Sequence, residues 1–102
     1  MVTCPDPGAR LQRAWELCYV DALGARAAAL EALSSADANA DSDAWARWHL
    51  ALADSRTGGP QSARARLAQA RQRFESTANV RGLSLCDELE AILAREAGDL
   101  AR

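Results

Sequence analysis

His49 is the single histidine of the chain, so any acid–base or nucleophilic scheme has to pass through it. General base work needs an imidazole within hydrogen-bond reach of the hydroxyl or thiol it deprotonates. No serine or cysteine motif marks such a nucleophile, and no glycine-rich phosphate loop is present. A helical histidine beside Trp45 and Trp48 reads as a packing or surface residue, and the chain reads as a non-enzyme.

The remaining polar clusters point to binding or packing. Asp37, Asn39, Asp41 and Asp43 alternate like the oxygen ligands that open an EF-hand loop. That loop needs glycine at its sixth place and a bidentate glutamate at its twelfth, where this chain has Ser42 and Trp48. The stretch therefore reads as a capping linker, with no metal site. Cys4, Cys18 and Cys86 are an odd set with no second cysteine or histidine at ligand spacing. Cys18 and Cys86 fall on apolar helix faces, where a thiol packs as a small hydrophobe, and Cys4 lies in a loose terminus. Arg64, Arg66, Arg71 and Arg73 could form a phosphate-binding stripe. No aromatic interleaves with them for base stacking, so they read as a solvated outer face.

Composition narrows the class. The chain has 102 residues and a net charge of −2, with 49% hydrophobic residues but only 5% aromatic ones. Alanine supplies much of the apolar count, which favours helix and close helix approach but gives each contact little volume to bury. The expectation is one all-α domain with a shallow core. The acidic balance argues against a nucleic-acid binder. All twelve basic residues are arginine, as expected of a GC-rich bacterial genome. No apolar run approaches a membrane span, and the MVTCPDPGARL start lacks a signal-peptide layout, which points to the cytoplasm. No cofactor is implied.

The elements that would position these residues follow from periodicity and breakers. Pro5, Pro7 and Gly8 delay the first helix to about residue 9. Leu11, Trp15, Cys18 and Ala22 then form an amphipathic stripe. A turn at Asp21 to Gly24 leads to a second helix with Leu23, Ala27 and Leu30 inward. One of Asp41, Ser42 or Asp43 should N-cap a third helix over Ala44 to Arg56. That helix carries apolar residues on two sides, Leu50 and Ala53 opposite Trp45, Trp48 and Leu52, so it faces two neighbours or a groove. Gly58 suits the C′ position that ends it, and Pro60 the first turn of the fourth helix. Ala63, Leu67, Ala70 and Phe74 form that helix's inner stripe. Asn79 caps a fifth helix striped by Leu85, Cys86, Leu89, Ile92 and Leu93, and Gly98-Asp99 opens a stub. The hairpins span about 9–35, 42–76 and 79–102. With the sixth helix cut short, the Leu85, Leu89, Ile92 and Leu93 face lacks cover, which points either to a piece of a longer protein or to a homodimer through the C-terminal helix.

A helix–turn–helix pattern recurring at about 35 to 40 residues is the signature of a repeat array. Leu50-Ala51, Gly58, Ala63, Leu67 and Ala70, with Ala91, Gly98 and Asp99 further on, resemble the tetratricopeptide repeat (TPR) family. Arg47, Leu67 and Glu90 depart from its pattern. Segments such as RFESTANVRGL before a GD turn resemble the N-terminal sensory regions of bacterial diguanylate cyclases and large transcription activators. The resemblance implies a right-handed stack of antiparallel hairpins whose concave groove is lined by the first helix of each repeat. In that register Trp45, Trp48, His49, Leu52 and Arg56 form the binding groove for a protein, a peptide or a small ligand. Core packing, in which Trp45 and Trp48 supply volume that alanine cannot, is weighed above the groove for these two residues, with Trp48 the more buried. A structural dimerisation or scaffold domain with no ligand groove is the alternative function.

Overall fold

The computed structural model describes residues 9–18, 20–34, 40–57 and 59–96. Within them the chain forms five α-helices and no strand: α1 (Ala9–Leu17), α2 (Ala22–Leu33), α3 (Ala40–Arg56), α4 (Pro60–Ser76) and α5 (Val80–Glu96). Each helix packs on the next, and α3 also touches α1 and α5. Contacts between the ends show that neighbours run antiparallel. Arg26 and Ala29 of α2 sit near Asp54 and Leu50 of α3, while Asp43 and Asp54 of α3 pair with Arg73 and Arg66 of α4.

α3 is the axis of the molecule. From Ala44 to Asp54 every side chain except that of Arg47 is buried, which is why its apolar residues occupy more than one face. The expectation of two neighbours is met. One face takes Trp45, Trp48 and Leu52 into the main core with Leu67, Phe74, Cys86 and Leu89, and Leu50 turns to Ala14, Ala28 and Ala29. A helix apolar all round is stable only when enclosed in this way.

The turns follow local chemistry. Pro60 opens α4, and the Gly59 amide donates to the Asp54 carbonyl at 2.8 Å, the six-to-one bond of a Schellman ending. Gly58 and Gly98-Asp99 lie outside the described residues, as do Cys4, Asp37 and Asn39. At the α4/α5 turn the Asn79 amide reaches the Phe74 carbonyl at 2.9 Å and the Ala78 amide that of Glu75 at 3.2 Å. These two bonds complete a Schellman motif, with Ala78 at φ 54° where glycine is usual. Asn79 Oδ1 then accepts from the Gly82 amide at 2.9 Å, so the expected cap of α5 is present.

Several local expectations are corrected. α1 ends at Leu17, and the break falls at Cys18 to Asp21. Asp21 caps α2 by accepting from the Gly24 amide at 3.0 Å, so Gly24 sits inside the first helical turn. α3 begins at Ala40, so Asp41, Ser42 and Asp43 fall inside its first turn rather than before it. The inner face of α2 consists of Ala25, Ala28, Ala29 and Ala32, while Leu23, Ala27 and Leu30 are exposed. Alanines let α2 lie closer to α1 and α3 than leucines would, and this close seam decides the rotation of the helix. On α5, Cys86, Leu89 and Leu93 are buried and Leu85 and Ile92 half-buried, so this face is largely covered, and the large apolar residue that the helix exposes is Val80 at its start.

Candidate functional site

The residues assigned to a groove start on α3, whose 3.6-residue period places Trp45, Trp48, His49, Leu52 and Arg56 along neighbouring rows. Four of them are enclosed: Trp45 is 1% exposed, Trp48 3%, His49 1% and Leu52 2%. Arg56 alone is exposed. Between core and groove, the structure places the tryptophans in the core.

The cover on this face comes in part from α1. Trp15 stacks on Trp48 with ring centroids 5.9 Å apart and meets Trp45 and His49 edge-on at 6.3 and 5.5 Å. Trp45 in turn meets Phe74 of α4 at 4.7 Å. Edge-to-face and offset rings at these separations are favourable beyond their buried area. Trp48 Nε1 donates to the Leu85 carbonyl of α5 at 3.1 Å, so one indole ties α3 to the last helix. By contrast Trp45 Nε1 and both ring nitrogens of His49 have no hydrogen-bond partner among the described residues. Burial pushes His49 down from 6.5 to about 3, because an imidazolium there would lose its hydration without gaining an acceptor. The imidazole is therefore held neutral and enclosed by its aromatic neighbours.

The second cluster is one that the sequence did not single out. Asp54 is 3% exposed, yet it accepts from Ser62 Oγ at 2.6 Å and Arg66 Nε at 3.0 Å. Arg26 Nε of α2 lies 3.5 Å from its other oxygen. One carboxylate thus joins α2, α3 and α4, and its hydrogen bonds from Ser62 and Arg66 together with the ion pair to Arg26 offset the desolvation of a buried charge. The legible sign was an acidic residue within an otherwise apolar run, with Arg66 following on the next helix.

The arginines of α4 are mostly occupied. Arg66 serves Asp54, and Arg73 meets Asp43, which also holds Arg47 Nε at 2.6 Å. Arg71 bonds Asp87 at 2.8 Å and Glu90 at 2.5 Å. These pairs stitch α4 to α3 and α5, which accounts for the basic stripe without phosphate. Cys18 and Cys86 are free and buried, as expected. Burial raises both thiols, Cys86 to about 11, so neither is a ready thiolate. No group of three His, Cys, Asp or Glu suited to a metal ion occurs among the described residues, and Asp43 of the acidic stretch is engaged by arginine.

A concavity of about 450 Å³ lies between α4 and α5. Leu67, Ala68, Leu93 and Ala94 provide its apolar lining, and Arg64, Arg71, Gln72, Glu75 and Glu90 its polar part. Its size is within the range of ligand pockets. None of the residues assigned to the groove from sequence contributes to it, and Ala68 and Ala94 would have been found only by asking which small residues face each other across the α4/α5 seam. The chain matches no protein-family model, no curated protein and no solved structure.

Proposed function

We propose that this chain is a non-catalytic, TPR-like interaction module that binds a protein or peptide segment in the α4/α5 concavity. The observation that carries this reading is the mixed character of that surface, where small and apolar residues lie between arginine and glutamate side chains. Recognition surfaces commonly combine an apolar centre with a polar rim. The antiparallel succession of helices is consistent with a right-handed stack of hairpins. In that arrangement the module acts in the cytoplasm as the sensory part of a larger bacterial signalling protein and passes binding on to a domain outside this chain. The burial of His49 supports a function without catalysis.

The test is selection from a displayed library of random 12-residue peptides, with Ala68→Trp as the counter-selected variant. Ala68 is exposed, so an indole there fills the concavity without entering the core. Peptides that enrich on the wild type and not on Ala68→Trp support the reading. Absence of enrichment, or enrichment equal on both proteins, favours the second reading, a structural scaffold domain without a ligand groove. That second reading draws on the burial of Trp45, Trp48, His49 and Leu52, which closes the face where a TPR-like groove would lie.

A further inference from the structure

The α4/α5 concavity has two unlike ends. Along α4, Arg64, Ala68, Arg71 and Glu75 recur at the three- and four-residue intervals of one helix row, and all four line the concavity. Eleven residues separate Arg64 from Glu75, three helical turns to within about 20°, so both side chains leave α4 on the same side, about 16 Å apart along its axis. Both are exposed, and among the described residues neither has a hydrogen-bond or ion-pair partner. Between them Arg71 is bonded across the groove to Glu90 and Asp87, so α5 adds no unpaired charge to the lining. Leu67 and Leu93 supply the buried apolar floor. The groove therefore offers an unpaired cation at one end, an apolar middle and an unpaired anion at the other.

Resting on the binding reading above, we propose that the occupant of this groove is an amphipathic α-helix of a partner protein. Its seated face carries one acidic and one basic side chain about eleven residues apart, with apolar residues between them. The acidic group meets Arg64 and the basic group Glu75. A segment with two like charges would set one of them against its own sign, which is how the groove discriminates. The walls decide for a helix over an extended segment. An extended backbone brings N–H and C=O groups that need partners, and with no strand edge among the described residues the groove has none to give. A helix arrives with its backbone bonds made, and over three turns it repeats the spacing that α4 presents.

The test is fluorescence anisotropy with four labelled helical peptides of about 18 residues. All share an alanine–glutamine frame with two central leucines and differ only at two outer positions eleven residues apart. Those positions hold glutamate with arginine, two glutamates, two arginines, or two glutamines. The wild type should prefer the mixed pair to each of the others by about three- to tenfold, as two exposed ion pairs allow. Arg64→Glu should instead prefer the two-arginine peptide and Glu75→Arg the two-glutamate peptide, gains that misfolding could not produce. Equal binding of all four peptides, or preferences that the two substitutions leave unchanged, overturns the charge pattern while the binding reading stands. If no helix binds and the random peptide library still enriches on the wild type, the helical occupant alone is overturned. If neither binds, the binding reading falls with it.

Discussion

At the scale of single residues, His49 and Asp54 are the buried polar side chains among the described residues, and they behave in opposite ways. His49 has no hydrogen-bond partner for either nitrogen, and its pKa of about 3 lies below the ordinary 6.5 of the unfolded chain. Between those values the unfolded state binds the proton that the folded state refuses, so stability rises with pH. The contribution is fully present above pH 6.5 and is lost as pH falls toward 3, at up to about 1.4 kcal/mol per unit. Urea denaturation of wild type and His49→Leu from pH 7.5 to 4.5 should converge in slope above 6.5 and diverge below it, the variant being the less acid-sensitive. Parallel curves would remove His49 from the account. Asp54 instead accepts two hydrogen bonds and pairs with Arg26. Asp54→Ala should cost about 2–4 kcal/mol in urea denaturation, since it frees Ser62 and strands two partly buried guanidinium groups. A loss under about 0.5 kcal/mol, the usual surface value, would show that the three-helix junction contributes little. Residue types alone could mark His49 as solitary, but its enclosure depends on Trp15, thirty-four positions earlier, and no local pattern conveys that.

At the scale of elements, the helices with a wide volume contrast between faces were legible and the alanine-rich one was not. Ala63, Leu67, Ala70 and Phe74 of α4 are all buried as their spacing requires, and Asn79 caps α5 as its type requires. On α2 the same rule placed the leucines inward, while the structure buries the four alanines. Periodicity identifies a stripe only when one face is distinctly more apolar, and α2 is apolar on every side. The α4/α5 turn shows a further conflict between local preference and fold. Ala78 occupies the left-handed region, which costs an L-residue roughly 1–2 kcal/mol. Ala78→Gly should therefore stabilise the protein by about 0.5–1 kcal/mol after the greater chain entropy of glycine is counted, visible as a rise in the urea midpoint at constant slope. The opposite substitution is costly three residues into α5. A methyl group on Gly82 would fall within the Phe74 ring, so Gly82→Ala should destabilise by about 1–3 kcal/mol through overpacking. A melting temperature equal to that of the wild type would mean that α4 and α5 part without strain.

For the whole molecule, the arrangement around α3 decides which parts should open first. The length, the helix count and the α3/α4 hairpin were readable because glycine, proline and caps act locally. The placement of α1 over Trp45 and Trp48 was not readable, because it depends on contacts between helices separated by a polar linker. α3 touches α1, α2, α4 and α5 and buries its side chains almost continuously from Ala44 to Asp54, so its backbone can be exposed only when most of the core is lost. α1 has only nine residues and is held through Ala14, Trp15, Leu17 and Cys18. Native-state hydrogen exchange reports such differences as separate opening free energies. The amides of Trp48 to Ala53 should exchange only through global unfolding, with a denaturant slope equal to that of equilibrium unfolding. Those of Trp15 to Leu17 should exchange through a local opening with a small slope. Trp15→Ala should accelerate α1 exchange and make Trp45 and Trp48 accessible to acrylamide, at a cost of about 3–5 kcal/mol for removal of a large aromatic contact. If α1 and α3 instead exchange with one slope and one free energy, the five helices form a single cooperative unit, and α1 belongs to the core as firmly as the axis it covers.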